Sequence, residues 1–72
     1  MADLRNQRAR ILQWIDDFGS ITPQEAMVYL GIMRLAARIM EIRQSGIDII
    51  CEMVNGVNKF GEKIRYAKYR RA

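Results

Sequence analysis

The sequence predicts an α+β fold of three helices followed by a two-stranded β-hairpin, one domain spanning residues 1–72. Three observations carry that expectation. Before Gly46, apolar residues recur at helical spacing in three separate stretches. Thr22-Pro23-Gln24-Glu25 has the composition of a complete helix start. After Gly46 the stretches turn β-branched and alternating, in two runs split by a loop rich in Asn and Gly.

In the first helix, Leu4 to Phe18, residues Ile11, Trp14, Ile15 and Phe18 stand at i, i+3, i+4 and i+7. They form one buried stripe with Leu12 on its flank, while Arg5, Arg8, Arg10, Asp16 and Asp17 lie mostly elsewhere. Gly19 can then end the helix in the left-handed conformation. Ser20-Ile21-Thr22 has room only for a tiny strand, with Ile21 turned inward.

Thr22 serves as N-cap of the second helix, Pro23 occupies its first position, and Glu25 completes a capping box. Gly31 stops that helix after Leu30, and Ala26, Met27 and Leu30 give it an inner face. The third helix, 33–45, comes next. Residues placed at 100° intervals put Ile32, Leu35, Ala36, Ile39 and Ile42 in one arc centred near Ile39. Arg34, Ala37, Glu41, Gln44 and Ser45 fall opposite, with Arg38 at that arc's edge and Met33 and Met40 on the other flank. Gly46 closes the helix. IDIICEMV and EKIRYAKYRR then read as strands, joined by the loop NGVNKFG at 55–61.

Composition narrows the function. Folding a chain of 72 residues buries only about 60% of its extended surface, so the core is thin. The longest apolar runs are too short to span a bilayer, and MADLRNQRAR lacks the apolar core of a signal peptide. Cys51 is the single cysteine and there is no histidine, which excludes a disulfide staple and leaves zinc without a ligand set. The cytoplasm is the expected location, with no cofactor, no membrane and no small-molecule substrate. Asp16 and Asp17 are adjacent on a helix and diverge, and no nucleophile has an evident base, so an enzyme is not expected.

The charge is lopsided. Residues 1–31 carry three basic side chains against four acidic ones, a net −1, and residues 32–72 carry nine against four, a net +5. A basic half of this kind is the electrostatic footprint of a nucleic-acid binder, although basic tails also serve solubility alone.

A short helix, a three-residue break and a longer helix make a helix-turn-helix unit, and the hairpin after it makes a wing. GSITPQEA (19–26), LGIMRLAARI (30–39), the Gly46 break and NKFGEKIRYAKY (58–69), in that order, resemble the winged helix-turn-helix proteins over almost the whole length. More narrowly, they look like the small members encoded in phages and prophages of Gram-positive bacteria. The resemblance implies a DNA-binding fold with the third helix in the major groove and the wing on the backbone or minor groove. One departure stands out: Ile32-Met33 occupies the place where a Ser or Thr often precedes the recognition helix.

The candidate DNA-binding residues are Met33, Arg34, Ala37, Arg38 and Glu41 on the third helix, Lys59 at the wing tip, and Lys63 and Arg65 on the last strand. An arginine near the start of a groove helix can place two donors on guanine or clasp a phosphate. Equally, Arg34 and Arg38 can solvate the helix and pair with Glu41, and Arg38 can form a structural ion pair. Ala37 allows close approach and can touch a thymine methyl, or is merely a helix former. Arg43 reads as structural, with its stem over apolar neighbours. Lys59 is the natural wing-tip cation, with Asn55 and Asn58 as possible phosphate partners. Phe60 can stack or wedge in a minor groove, or, the preferred reading, pack the loop against the domain. Lys63 and Arg65 share a strand face that is either solvated or on phosphate, and Arg70 and Arg71 read as a mobile basic end.

The expected function is sequence-preferring binding of double-stranded DNA by a small phage or prophage regulator of transcription or recombination. Helix 33–45 would enter the major groove and the 55–61 wing would lie on the backbone, with a homodimer or tandem sites extending the contact. The alternative is a phage-encoded module that binds and inhibits or modulates a host protein, which Ile32-Met33 and Met40 favour.

Overall fold

The computed structural model describes residues 4–72, with side chains from Asn6 onward. The charged opening at residues 1–3 and the Arg5 side chain lie outside the described residues. The order is α1 (Leu4–Phe18), α2 (Pro23–Leu30), α3 (Leu35–Gln44), β1 (Ile49–Val57) and β2 (Lys63–Arg71).

Each helix ends where the local chemistry stops it. Gly19, at φ +89°, follows α1, and its N–H donates to the Ile15 carbonyl at 2.6 Å. At the start of α2 the Glu25 N–H donates to the Thr22 hydroxyl at 3.2 Å, and the Thr22 N–H donates to the Glu25 carboxylate at 2.9 Å. The capping box is therefore complete, with Pro23 at a position whose missing N–H costs nothing. Gly31 closes α2 in the left-handed region, at φ +69°.

The third helix is shorter than expected. It begins at Leu35 rather than residue 33, with Arg34 at its N-cap and no side chain capping it. Its C-terminus is a Schellman closure: the Gly46 N–H donates to the Arg43 carbonyl and the Ile47 N–H to the Ile42 carbonyl.

The strands pair antiparallel from Ile49↔Arg71 to Val57↔Lys63 without interruption. β1 starts two residues later than the sequence suggested and runs three further, because Asn55, Gly56 and Val57 pair with Arg65, Ile64 and Lys63 instead of looping, and β2 is one residue shorter. The loop is consequently 58–62. Asn58 organises it: its side-chain oxygen accepts from the Phe60 N–H at 2.9 Å and the Glu62 N–H at 3.0 Å, and Gly61 supplies the positive φ. Gly56 suits its place in β1, where a Cβ would crowd the Tyr66 ring at 3.0 Å.

Ile21 is the expected tiny strand reduced to one bridge. Its N–H donates to the Tyr69 carbonyl at 2.8 Å, and the Tyr69 N–H donates back at 2.9 Å. This pins the hairpin base to the segment before α2. Ile11, Ile15, Ile21, Ala26, Ile32, Leu35, Ile39, Ile42, Ile49 and Tyr69 form the core, drawn from all five elements and the two turns. Phe18 and Met27, expected inside, are exposed. Phe18 instead packs its ring 4.4 Å from that of Trp14, at the edge of α1.

Candidate nucleic-acid interface

The two arginines of α3 have opposite fates. Arg38 is 9% exposed and turned inward, with one guanidinium nitrogen 3.5 Å from the Glu41 carboxylate. Arg8 of α1 donates to the other oxygen of Glu41 at 2.8 Å, so a single carboxylate bridges two arginines and ties α1 to α3. Both Arg38 and Glu41 were candidates for the DNA face; the structure gives the other reading, an ion pair between them, extended to Arg8. Once the helix starts at Leu35, its buried set is Leu35, Arg38, Ile39 and Ile42, one turn-by-turn stripe at i, i+3, i+4 and i+7. Ala36, expected inside, is exposed, and Ala37, expected outside, is half-buried.

Arg34 is different. It sits at the N-cap of α3, exposed, with no carboxylate within ion-pair distance among the described residues. Its neighbour Met33 is 76% exposed, and Met40, two turns along, is 60% exposed. Between them lie Ala36 and Ala37, and Gln44 follows. Arg43 stands at the edge of that face, but its guanidinium donates twice to the Ile49 carbonyl, at 3.0 and 2.9 Å, bracing the start of β1. The outward face of α3 is thus methionine and alanine, headed by one arginine.

The hairpin supplies the remaining cations. Lys63 and Arg65 are exposed and lie on the strand face that also carries Ala67 and Tyr69 against the helical core, since alternate residues share a face. Lys59 is exposed at the loop tip, its ammonium 5.3 Å from the Phe60 ring centroid. Phe60 is 75% exposed and does not pack the loop down. Asn58 is committed to the turn and is not free for phosphate. Among the described residues, Lys59, Lys63 and Arg65 have no ion-pair partner.

Arg70 and Arg71, expected to trail free, are both strand residues with partners. Arg70 pairs with Glu52 across the hairpin, and Arg71 reaches Asp16 of α1 at 2.9 Å. The basic end is therefore partly spent on tying the sheet to the helices.

The sequence reading missed Ala36 and the full extent of the Met33–Met40 face. Met33 precedes α3, where helical periodicity does not apply, and Ala36 is apolar, so neither stood out in the spacing. Among the described residues no three His, Cys, Asp or Glu side chains gather as a metal site, and no helix is long and apolar enough to cross a membrane.

No curated protein and no solved structure matches the chain. The family model described as "Winged helix-turn-helix domain" matches residues 6–70. A break of four residues between α2 and α3, and a hairpin of two nine-residue strands pinned to the core, are the parts that this architecture requires. The chain belongs to the winged helix-turn-helix domain family, whose architecture suggests DNA binding.

Proposed function

We propose that the protein binds double-stranded DNA with a sequence preference, as a small phage or prophage regulator of transcription or recombination working in the host cytoplasm. In this reading the start of α3 enters the major groove and the wing follows the adjacent backbone. One observation carries it. Arg34, Lys59, Lys63 and Arg65 are exposed and unpaired among the described residues, while Arg8, Arg38, Arg70 and Arg71 are held by carboxylates. These four exposed cations, with half-buried Lys68 also unpaired on the wing among the described residues, match a phosphate-lined surface. A domain this small touches few base pairs, so paired copies or tandem sites extend the contact.

The test is fluorescence anisotropy with a random-sequence duplex across a salt series. Phosphate contacts by Lys59, Lys63 and Arg65 give a slope of log K against log salt of about −2.7. Absence of binding even at low salt overturns the reading. Exposed Met33, Met40 and Phe60 favour a second reading, a module that docks on a host protein and modulates it. Salt-insensitive binding to a protein, with none to DNA, selects that one.

A further inference from the structure

The inner ion network of α3 has an outward consequence. Because Arg38 and Glu41 turn in toward Arg8, and Arg43 is held by the Ile49 carbonyl, the face presented between Met33 and Gln44 has no free charged group beyond Arg34. Its hydrogen-bonding capacity is confined to the two ends, Arg34 and Gln44. The middle is the side chains of Met33, Ala36, Ala37 and Met40.

We infer that this face reads the C5-methyl groups of the major groove, and so prefers A·T-rich or 5-methylcytosine-containing DNA. The inference rests on the DNA-binding reading and gives it a specificity. In the major groove a base pair can be recognised by donors and acceptors or by the thymine methyl, and alanine and other apolar side chains serve the methyl. Alanine at 36 and 37 lets the helix approach closely. The unbranched methionines on either side are flexible and polarisable, and adapt to methyls at more than one step. Charge complementarity sets the occupant. Arg34 at the head of the apolar face and Lys59, Lys63 and Arg65 on the wing are cations unpaired among the described residues, and phosphates border every methyl-lined groove. A wholly apolar partner would leave these cations without a role.

The experiment compares two 20-base-pair duplexes at low salt, alternating d(A-T) and the same duplex with every thymine replaced by uracil. Uracil keeps each hydrogen-bonding group and lacks only the methyl. Burial of one methyl is worth about fourfold in affinity, so contact with two or three weakens the uracil duplex by about 15-fold or more. Met33→Ala/Met40→Ala, at exposed positions where the fold is not at stake, should bind both duplexes with nearly equal affinity. Equal binding of the two duplexes by the unaltered protein overturns methyl readout and leaves DNA binding standing. Binding of neither duplex overturns the DNA-binding reading itself, and methyl readout with it. A uracil penalty that persists undiminished in the double variant shows that the methionines do not carry the preference, and it also overturns the inference.

Discussion

Replacing Arg38 with methionine tests the division of labour within α3. Nε and one terminal nitrogen of Arg38 are buried with no hydrogen-bond partner among the described residues. Leaving a buried donor unsatisfied costs about 1–3 kcal/mol. Against that stands one ion pair at 3.5 Å to Glu41, a carboxylate one-third exposed and already engaged by Arg8 at 2.8 Å. A partly exposed, shared pair of this kind contributes at most about 1 kcal/mol. Methionine keeps most of the stem's packing volume and removes the unmet donors, while Glu41 keeps Arg8. The expected result is a net stabilisation of about 1–3 kcal/mol, as apolar replacement of buried ionic groups often gives. In a domain this small that raises Tm by at least about 4 °C. Thermal unfolding followed by circular dichroism reads the stability, and fluorescence anisotropy on duplex DNA reads the affinity, which should stay within about twofold. A lowered Tm, or an affinity loss beyond about threefold, would refute the placement of Arg38 as an internal residue.

Arg34→Ala should do the reverse: Tm stays within about 1 °C, while DNA affinity falls by about 1–3 kcal/mol with a relaxed sequence preference, measured by anisotropy on selected and random duplexes. Lys59→Ala, Lys63→Ala and Arg65→Ala should each weaken all sequences alike and shallow the log–log salt slope by about 0.9. Asn58→Ala removes the acceptor for two backbone N–H groups and should cost about 1–2 kcal/mol, seen in urea unfolding together with faster amide exchange over residues 58–62. Burial raises the Tyr69 hydroxyl above its ordinary pKa of 10.0; Cys51 adds to the rise and Arg43 opposes it. The folded state therefore holds that proton more tightly than the unfolded chain. Its contribution is intact below about pH 10 and declines as pH rises through the folded pKa, so Tyr69→Phe should flatten the alkaline limb of a stability-against-pH curve.

Most of the architecture is legible in local signals. Thr22, Pro23 and Glu25 need only one another to start a helix, and Gly31 and Gly46 end helices through their own backbone freedom. The alternation in β2 gave the partition of Lys63 and Arg65 from Ile64 and Tyr66.

Errors arose where tertiary context decides. Ile32 is buried from the turn, not from the helix, but the predicted buried arc of α3 was rotated, by about half the step between successive residues, because side-chain type alone favours Ala36 over Arg38 at its edges. That rotation put Arg38 outside and Ala36 inside. Nothing in the spacing of Arg8 and Glu41, 33 residues apart, shows that they meet. Asn55-Gly56 carries a strong turn signal, yet Gly56 serves the Tyr66 ring and Asn58 makes the turn. Phe18 fits the α1 stripe, but the chain turns away at Gly19 before any element covers it.

The docking model is tested most directly by following backbone amide signals in a 15N-labelled sample as duplex DNA is added. The account predicts that the largest shifts fall on residues 33–37, at Met40 and Gln44, and along 59–65, with the α1 face around Gln13 and Asp17 unmoved. Shifts concentrated on α1 with α3 and the wing silent would contradict it.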